Sequence, residues 1–253
     1  MKLILKMVPI PKIDKCKRAL FIGPHPDDIE IGAGGLVSKL IRSGAEVSFL
    51  ICTDGACGTS DKNAKYEDIA KVRAEESKNS ASFLGVKDIY FLNYPDGGKY
   101  EVSDLQVDIA KVVLKVSPDL VVAPSPFLQT ETHMDHIRVA EACRESLIIC
   151  KFPLVAKRQG LDIDDIKEFP NDITIAYYYS AKVNQVVKLK KIDIENKLNA
   201  LKYHESQPDS TDSGVIKYIK YKAFCDGMKK LHRYGEGYYV LGNIHQHCFS
   251  ENI

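Results

Sequence analysis

Two short stretches of the chain concentrate side chains that can bind a metal and move protons. They are Pro24-His25-Pro26-Asp27-Asp28-Ile29-Glu30 and Glu131-Thr132-His133-Met134-Asp135-His136. Two imidazoles and one carboxylate are a recurring ligand set for catalytic zinc. They leave a position open to water, whose pKa then falls towards neutrality. In a compact turn His25 and Asp28 can face one point while Asp27 faces the neighbouring position, where hydrolysis needs a general base. Each stretch alone has an ordinary reading as well. Pro and Asp are favoured in strand-to-helix turns, Asp28 fits a helix cap, and His133 and His136 fit a helix surface. It is their joint placement that turns the balance towards a metal.

The elements that would position them follow from hydrophobic periodicity. Short apolar runs at Arg18–Gly23, Val47–Thr53, Ile89–Leu92 and Leu120–Ala123 read as buried strands. Between them lie helical patterns: Leu36–Gly44, Glu67–Leu84 and Leu105–Val116, with a further helix at His136–Cys150. Strands alternating with helices predict a doubly wound, Rossmann-like α/β fold, with a mostly parallel sheet covered on both faces. Ligands in such folds sit beyond the carboxyl ends of the strands, and both stretches fall there. After an irregular excursion at Lys151–Asn171 come strands at Thr174–Tyr179 and Gln185–Val187, helices at Ile192–His204 and Val215–His232, and an extended Tyr238–Leu241. No internal repeat is visible, and residues 1–253 are expected to form one domain.

Composition excludes several classes. Apolar residues make up 45% and charged residues 27% of the 253, as in an ordinary globular protein. The formal charge of +1 comes from 35 basic and 34 acidic side chains, so no broad field exists to attract nucleic acid or an anionic membrane. The start, MKLILKMVPIPKIDK, is too short and too charged for a secretion signal or a membrane span, which predicts a cytoplasmic protein. The seven cysteines form no CxxC pair, so neither a disulfide framework nor a thiolate zinc knuckle is indicated. Gly32-Ala33-Gly34-Gly35 lacks the third glycine of a dinucleotide fingerprint, and acidic residues stand where a pyrophosphate would lie. Close packing of the first helix on the sheet is the better reading. Tyr177, Tyr178 and Tyr179 are uninformative, since aromatic residues favour strands anyway.

His25-Pro26-Asp27-Asp28 with Glu30-Ile31-Gly32, and His133-Met134-Asp135-His136, resemble the paired motifs of the LmbE-like, or PIG-L, de-N-acetylases. The resemblance extends through Thr53-Asp54-Gly55 with Gly58-Thr59, Arg73 and Glu75, Leu84-Gly85-Val86, Asn93-Tyr94 with Asp96, and Lys197, Ala200-Leu201, His204 and Ser206-Gln207. It thus covers residues 18–242. Tyr234-Gly235-Glu236-Gly237 with Val240 and Gly242 is similar to the archaeal diacetylchitobiose deacetylase branch.

The resemblance implies one zinc ion per site on His25, Asp28 and His136, with Asp27 as general base. It implies that His133 stabilises the oxyanion or protonates the leaving amine, that Asp135 orients His133, and that Arg73, Asp96 and His245 contact the sugar. By their surroundings alone, Arg73 would be a solvated ion-pair residue, His245 an exposed tail residue, and His204, Ser206 and Gln207 capping or packing groups. The implied substrate is a small soluble N-acetylglucosamine-type sugar such as diacetylchitobiose, from chitin degradation, and the implied assembly a homo-oligomer. Alternatives are another N-acetylglucosaminide, as a thiol-conjugate precursor or glycolipid, and a non-catalytic Rossmann-like sugar or nucleotide binder. Pro24, Ile29 and Met134 depart from the family's commonest residues and remove no ligand.

Overall fold

A computed structural model describes residues 8–164, 166, 169–170, 172–207 and 212–247. The sheet has seven strands: β1 (Arg18–Gly23), β2 (Glu46–Thr53), β3 (Asp88–Tyr94), β4 (Leu120–Pro124), β5 (Thr174–Tyr178), β6 (Gln185–Leu189) and β7 (Tyr234–Leu241). Their order is β3-β2-β1-β4-β5-β7-β6. The first five run parallel; β7 is antiparallel to both β5 and β6. The doubly wound α/β fold is therefore the observed one, with an antiparallel pair closing one side.

Both sheet faces are buried, which the period-2 pattern of the strands produces directly. Ala19 and Phe21 of β1 enter one core, with Val47, Phe49 and Ile51 of β2. Leu20 and Ile22 enter the other, with Leu50 and Cys52. Helices α1 (Asp28–Arg42), α2 (Tyr66–Leu84), α6 (Lys191–Leu201) and α7 (Ser213–Met228) cover the first face. Helices α3 (Val102–Val116), α4 (Met134–Lys151) and the short α5 (Pro153–Arg158) cover the second.

Two sequence expectations change. The first helix begins at Asp28, eight residues before the expected start, and takes in Gly32-Ala33-Gly34-Gly35. Tertiary contact overrides the poor helix propensity of glycine here. A Cβ on Gly32 would collide with the Tyr178 ring, and one on Gly35 would lie 2.7 Å from the Glu236 carboxylate. Strand β7 begins at Tyr234 rather than Tyr238, because its first half pairs with β6 from Tyr234 opposite Leu189 to Tyr238 opposite Gln185.

Within the Lys151–Asn171 excursion lies α5, while residues 165, 167, 168 and 171 are outside the described residues. So are Cys248 and most of the apolar N-terminal stretch. Among the described residues no helix is long and apolar enough to cross a membrane. The described cysteines are all free thiols, mostly buried or half-buried, with Cys57 exposed.

The strand order reverses on either side of β1, which pairs with both β2 and β4. That switch point opens a crevice at the carboxyl ends of β1 and β4. The connection from β1 to α1 and the connection from β4 to α4 both enter it, carrying the two motifs.

Candidate active site

Asp27 occupies the N-cap of α1 at φ 105° and ψ −25°. This left-handed conformation costs a non-glycine residue about 1–3 kcal/mol and persists only where the surroundings enforce it. Arg73 of α2 supplies that enforcement: Nη2 donates to the Pro26 carbonyl at 2.6 Å and Nη1 to the Gly55 carbonyl at 2.8 Å. Nη2 also lies 3.6 Å from the Asp27 carboxylate. Thr53 ties down the other side of the turn, its amide and hydroxyl each donating to Pro24 O at 2.9 Å. Arg73 is 3% exposed, so the solvated ion-pair reading of this residue is corrected: its planar fork is built into the turn.

One carboxylate oxygen gathers the expected ligand set. Asp28 Oδ2 is 3.1 Å from His25 Nδ1 and 3.2 Å from His136 Nε2. Each imidazole is held through its other nitrogen. His25 Nε2 lies 3.2 Å from both Asp96 Oδ1 and Asp135 Oδ2, and His136 Nδ1 lies 3.0 Å from Glu131 Oε2. A ring proton given to those carboxylates leaves a lone pair on His25 Nδ1 and on His136 Nε2, pointing towards Asp28. That is the carboxylate–histidine arrangement of metal sites, and the donor set of two nitrogens and one oxygen suits zinc.

The same residues allow a second grouping. Among the described residues His25, Asp96, His133 and Asp135 can bring four donor atoms within 4.8 Å of one another, and His25, His133 and His136 can bring three. Asp96 and Asp135 are already engaged, however. Asp96 Oδ2 accepts from Cys57 N at 2.9 Å, and Asp135 accepts from Gly97 N and the Tyr100 hydroxyl, both at 2.9 Å. Those bonds orient the two carboxylates towards His25, as the bond from His25 N at 3.0 Å orients Asp28 Oδ2.

The imidazoles and carboxylates of the cluster shift one another. Burial works against ionised Asp28, yet His136 and His25 hold its carboxyl well below the usual range. Burial likewise depresses His25, but Asp135, Asp28 and Asp96 raise it well above the ordinary imidazole value. His133 is shifted down, first by burial and then by the neighbouring His25 and His136.

His133 is the N-cap of α4, its Nδ1 accepting from Asp135 N at 3.3 Å. Its ring centre stands 4.6 Å from that of His25 and 5.0 Å from that of His136. The Asp135 carboxylate comes no nearer to His133 Nδ1 than 3.8 Å; its direct partners are His25, Gly97 and Tyr100.

A cleft of about 250 Å³ lies over the cluster. It brings together His25, Asp27, Asp28, Arg73, Asp96, His133 and His136, with Cys57, Gly58 and Gln207 added. His245 is not among its lining residues. It lies in the 3₁₀ turn Asn243–Gln246, is buried rather than exposed, and has Nε2 3.3 Å from Val8 O. It borders a separate cavity of about 220 Å³ with Phe127, Tyr177 and Tyr239. Glu131 and Tyr179 also stand against the cluster, outside the expected site residues. Glu131 stands five residues before His136, in the loop that leads into α4, a spacing that signals it. Tyr179 follows β5 at φ 54°, its ring parallel to that of His136 at 6.4 Å.

Residues 20–147 match the family model described as PIG-L, GlcNAc-PI de-N-acetylase. The chain is 34% identical over 235 residues to a diacetylchitobiose deacetylase of Thermococcus kodakarensis, covering 91% of this chain and 85% of that one. It is 29% identical over 175 residues to a 1D-myo-inositol 2-acetamido-2-deoxy-alpha-D-glucopyranoside deacetylase of Kineococcus radiotolerans, covering 57% of this chain and 48% of that one. The fold superposes on the N,N′-diacetylchitobiose deacetylase of Pyrococcus horikoshii with a TM-score of 0.88, at 33% identity over 99% of this chain and 94% of the other.

Proposed function

Because this chain belongs to the PIG-L family of de-N-acetylases and is a carbohydrate N-deacetylase, we propose that it hydrolyses the acetamide of diacetylchitobiose or N-acetylglucosamine at a zinc ion. His25, Asp28 and His136 would hold the ion. The observation that carries this reading is the meeting of His25 Nδ1 and His136 Nε2 on Asp28 Oδ2, with a carboxylate behind each ring.

A zinc ion there would supply Lewis-acid polarisation of the acetamide carbonyl and a lowered pKa for the attacking water. The remaining steps belong to the chain. Asp27, one residue from the ligand Asp28, takes a proton from the water as its oxygen bonds to the acetyl carbon. His133 stabilises the oxyanion or delivers a proton to the nitrogen as the C–N bond breaks, releasing acetate and the free amino sugar. Asp135 and Asp96 fix the His25 ring, and Glu131 fixes His136. Arg73 holds the turn that presents Asp27 and lines the cleft where sugar hydroxyls would bind. His245 would reach substrate only if its segment met the cleft of another copy in a homo-oligomer.

A panel of acceptors tests the substrate. Acetate release from N-acetylglucosamine or its short β-linked oligomers is expected, and turnover confined to lipid-linked or thiol-conjugated glucosaminides would overturn the reading.

A further inference from the structure

The segment after α6 is fastened to the cleft more firmly than a helix ending requires. His204 Nε2 lies 3.2 Å from Glu30 Oε1, which also accepts from Ser80 Oγ at 2.5 Å. Ser206 donates twice to Glu76, from its amide at 2.7 Å and its hydroxyl at 2.6 Å. Glu30 lies on α1 just past Asp28, and Glu76 lies on α2 three residues past Arg73. The two helices that carry site residues therefore each grip the segment through a buried carboxylate.

The grip ends at Gln207. Its Nε2 donates to Gly58 O at 2.7 Å and to Ser206 O at 3.0 Å, which commits both amide protons. Gly58 has no room for a side chain: a Cβ there would stand 2.9 Å from Gln207 Oε1, and it would also collide with the Arg73 guanidinium. Gln207, Gly58 and Arg73 thus form one packed wall of the cleft over the cluster. The remaining hydrogen-bonding atom of the carboxamide, Oε1, can only accept.

We propose that Gln207 is a specificity-determining residue whose Oε1 accepts a hydrogen bond from a hydroxyl on the non-reacting part of the sugar, and that residues 204–207 are the strap that holds it in place. This inference rests on the amino-sugar reading of the site. A fixed acceptor discriminates well, because an analogue lacking the hydroxyl leaves a desolvated oxygen unpaired.

The test uses the full-length zinc-loaded protein with N-acetylglucosamine and its 3-, 4- and 6-deoxy analogues. For wild type, one analogue should lose about 10-fold or more in kcat/KM. In Gln207→Ala the parent substrate should fall to that level, chiefly through KM, while the same analogue loses nothing further and bound zinc is unchanged. Ser206→Ala loosens the strap and keeps the carboxamide, so it should retain the analogue preference with a smaller rise in KM. Equal losses on all substrates in Gln207→Ala, or none, would overturn the assignment alone. Wild type that released no acetate from any of the sugars would overturn the reading beneath it, and the proposal with it.

Discussion

Arg73 Nη2 lies 3.6 Å from the Asp27 carboxylate while donating to the Pro26 carbonyl at 2.6 Å. A single guanidinium therefore holds both the backbone that strains Asp27 and the charge of its side chain. Lysine offers a point charge without the fork, so Arg73→Lys should leave one of the two carbonyls unpaired. We expect Arg73→Lys to lose stability by about 1–3 kcal/mol and activity more than stability, since the turn relaxes. Thermal unfolding alongside kcat/KM checks this; an enzyme equal to wild type in both would show that the fork is dispensable.

Asp27 and Asp28 are adjacent but should do different work. Asp27→Asn keeps size and polarity without basicity, so zinc should stay bound while kcat falls by about 10²- to 10⁴-fold. Asp28→Ala should instead lose the metal. His133→Ala should keep the metal and change the pH profile of kcat/KM, because one limb loses its group. Near-normal kcat in Asp27→Asn at neutral pH would refute the base assignment.

The carboxylates behind the imidazoles should count almost as much as the ligands. Asp135→Asn and Glu131→Gln remove the charges that fix the rings of His25 and His136. Each should weaken zinc binding by roughly 10- to 100-fold. Competition with a chelator of known affinity reads this, and unchanged affinity in both variants would deny them an orienting role.

The His204–Glu30 pair should make the strap sensitive to pH. Burial alone depresses His204, but the charge and hydrogen bond of Glu30, with Asp27 and Glu76 beyond, raise it above the ordinary imidazole value. A raised folded-state pKa contributes stability that is complete below the unfolded value of about 6.5 and is lost as pH climbs through the folded value. The difference in unfolding free energy between wild type and His204→Gln should therefore be largest near pH 6 and narrow towards pH 9. A difference that grows with pH would contradict the pairing.

Much of the architecture was legible from strand spacing alone. β1, β2 and β4 are continuous apolar runs, and such runs carry their own boundaries. The start of α1 was only partly legible: the glycines signalled close packing of the first helix on the sheet, but their poor helix propensity hid that they lie inside it, against Tyr178 and Glu236. The first half of β7 was hidden as well, since Gly235 and Gly237 break the apolar pattern and only pairing with β6 makes it a strand.

The proposed ligands His25, Asp28 and His136 stand in two compact motifs and could be read directly. Their supports could not. Asp96 reaches His25 from the loop after β3 and Asp135 from the first turn of α4, and Gln207 reaches Gly58 across 149 positions. Nothing local in sequence marks such meetings.

If His25, Asp28 and His136 hold a catalytic zinc ion, acetate release must depend on that ion. Acetate release from N,N′-diacetylchitobiose should therefore be measured on one preparation as purified, after stripping with a chelator, and after return of one equivalent of zinc. Loss on stripping and recovery on return, absent from His136→Ala, is the predicted result. Undiminished acetate release from protein stripped of all metal would contradict it.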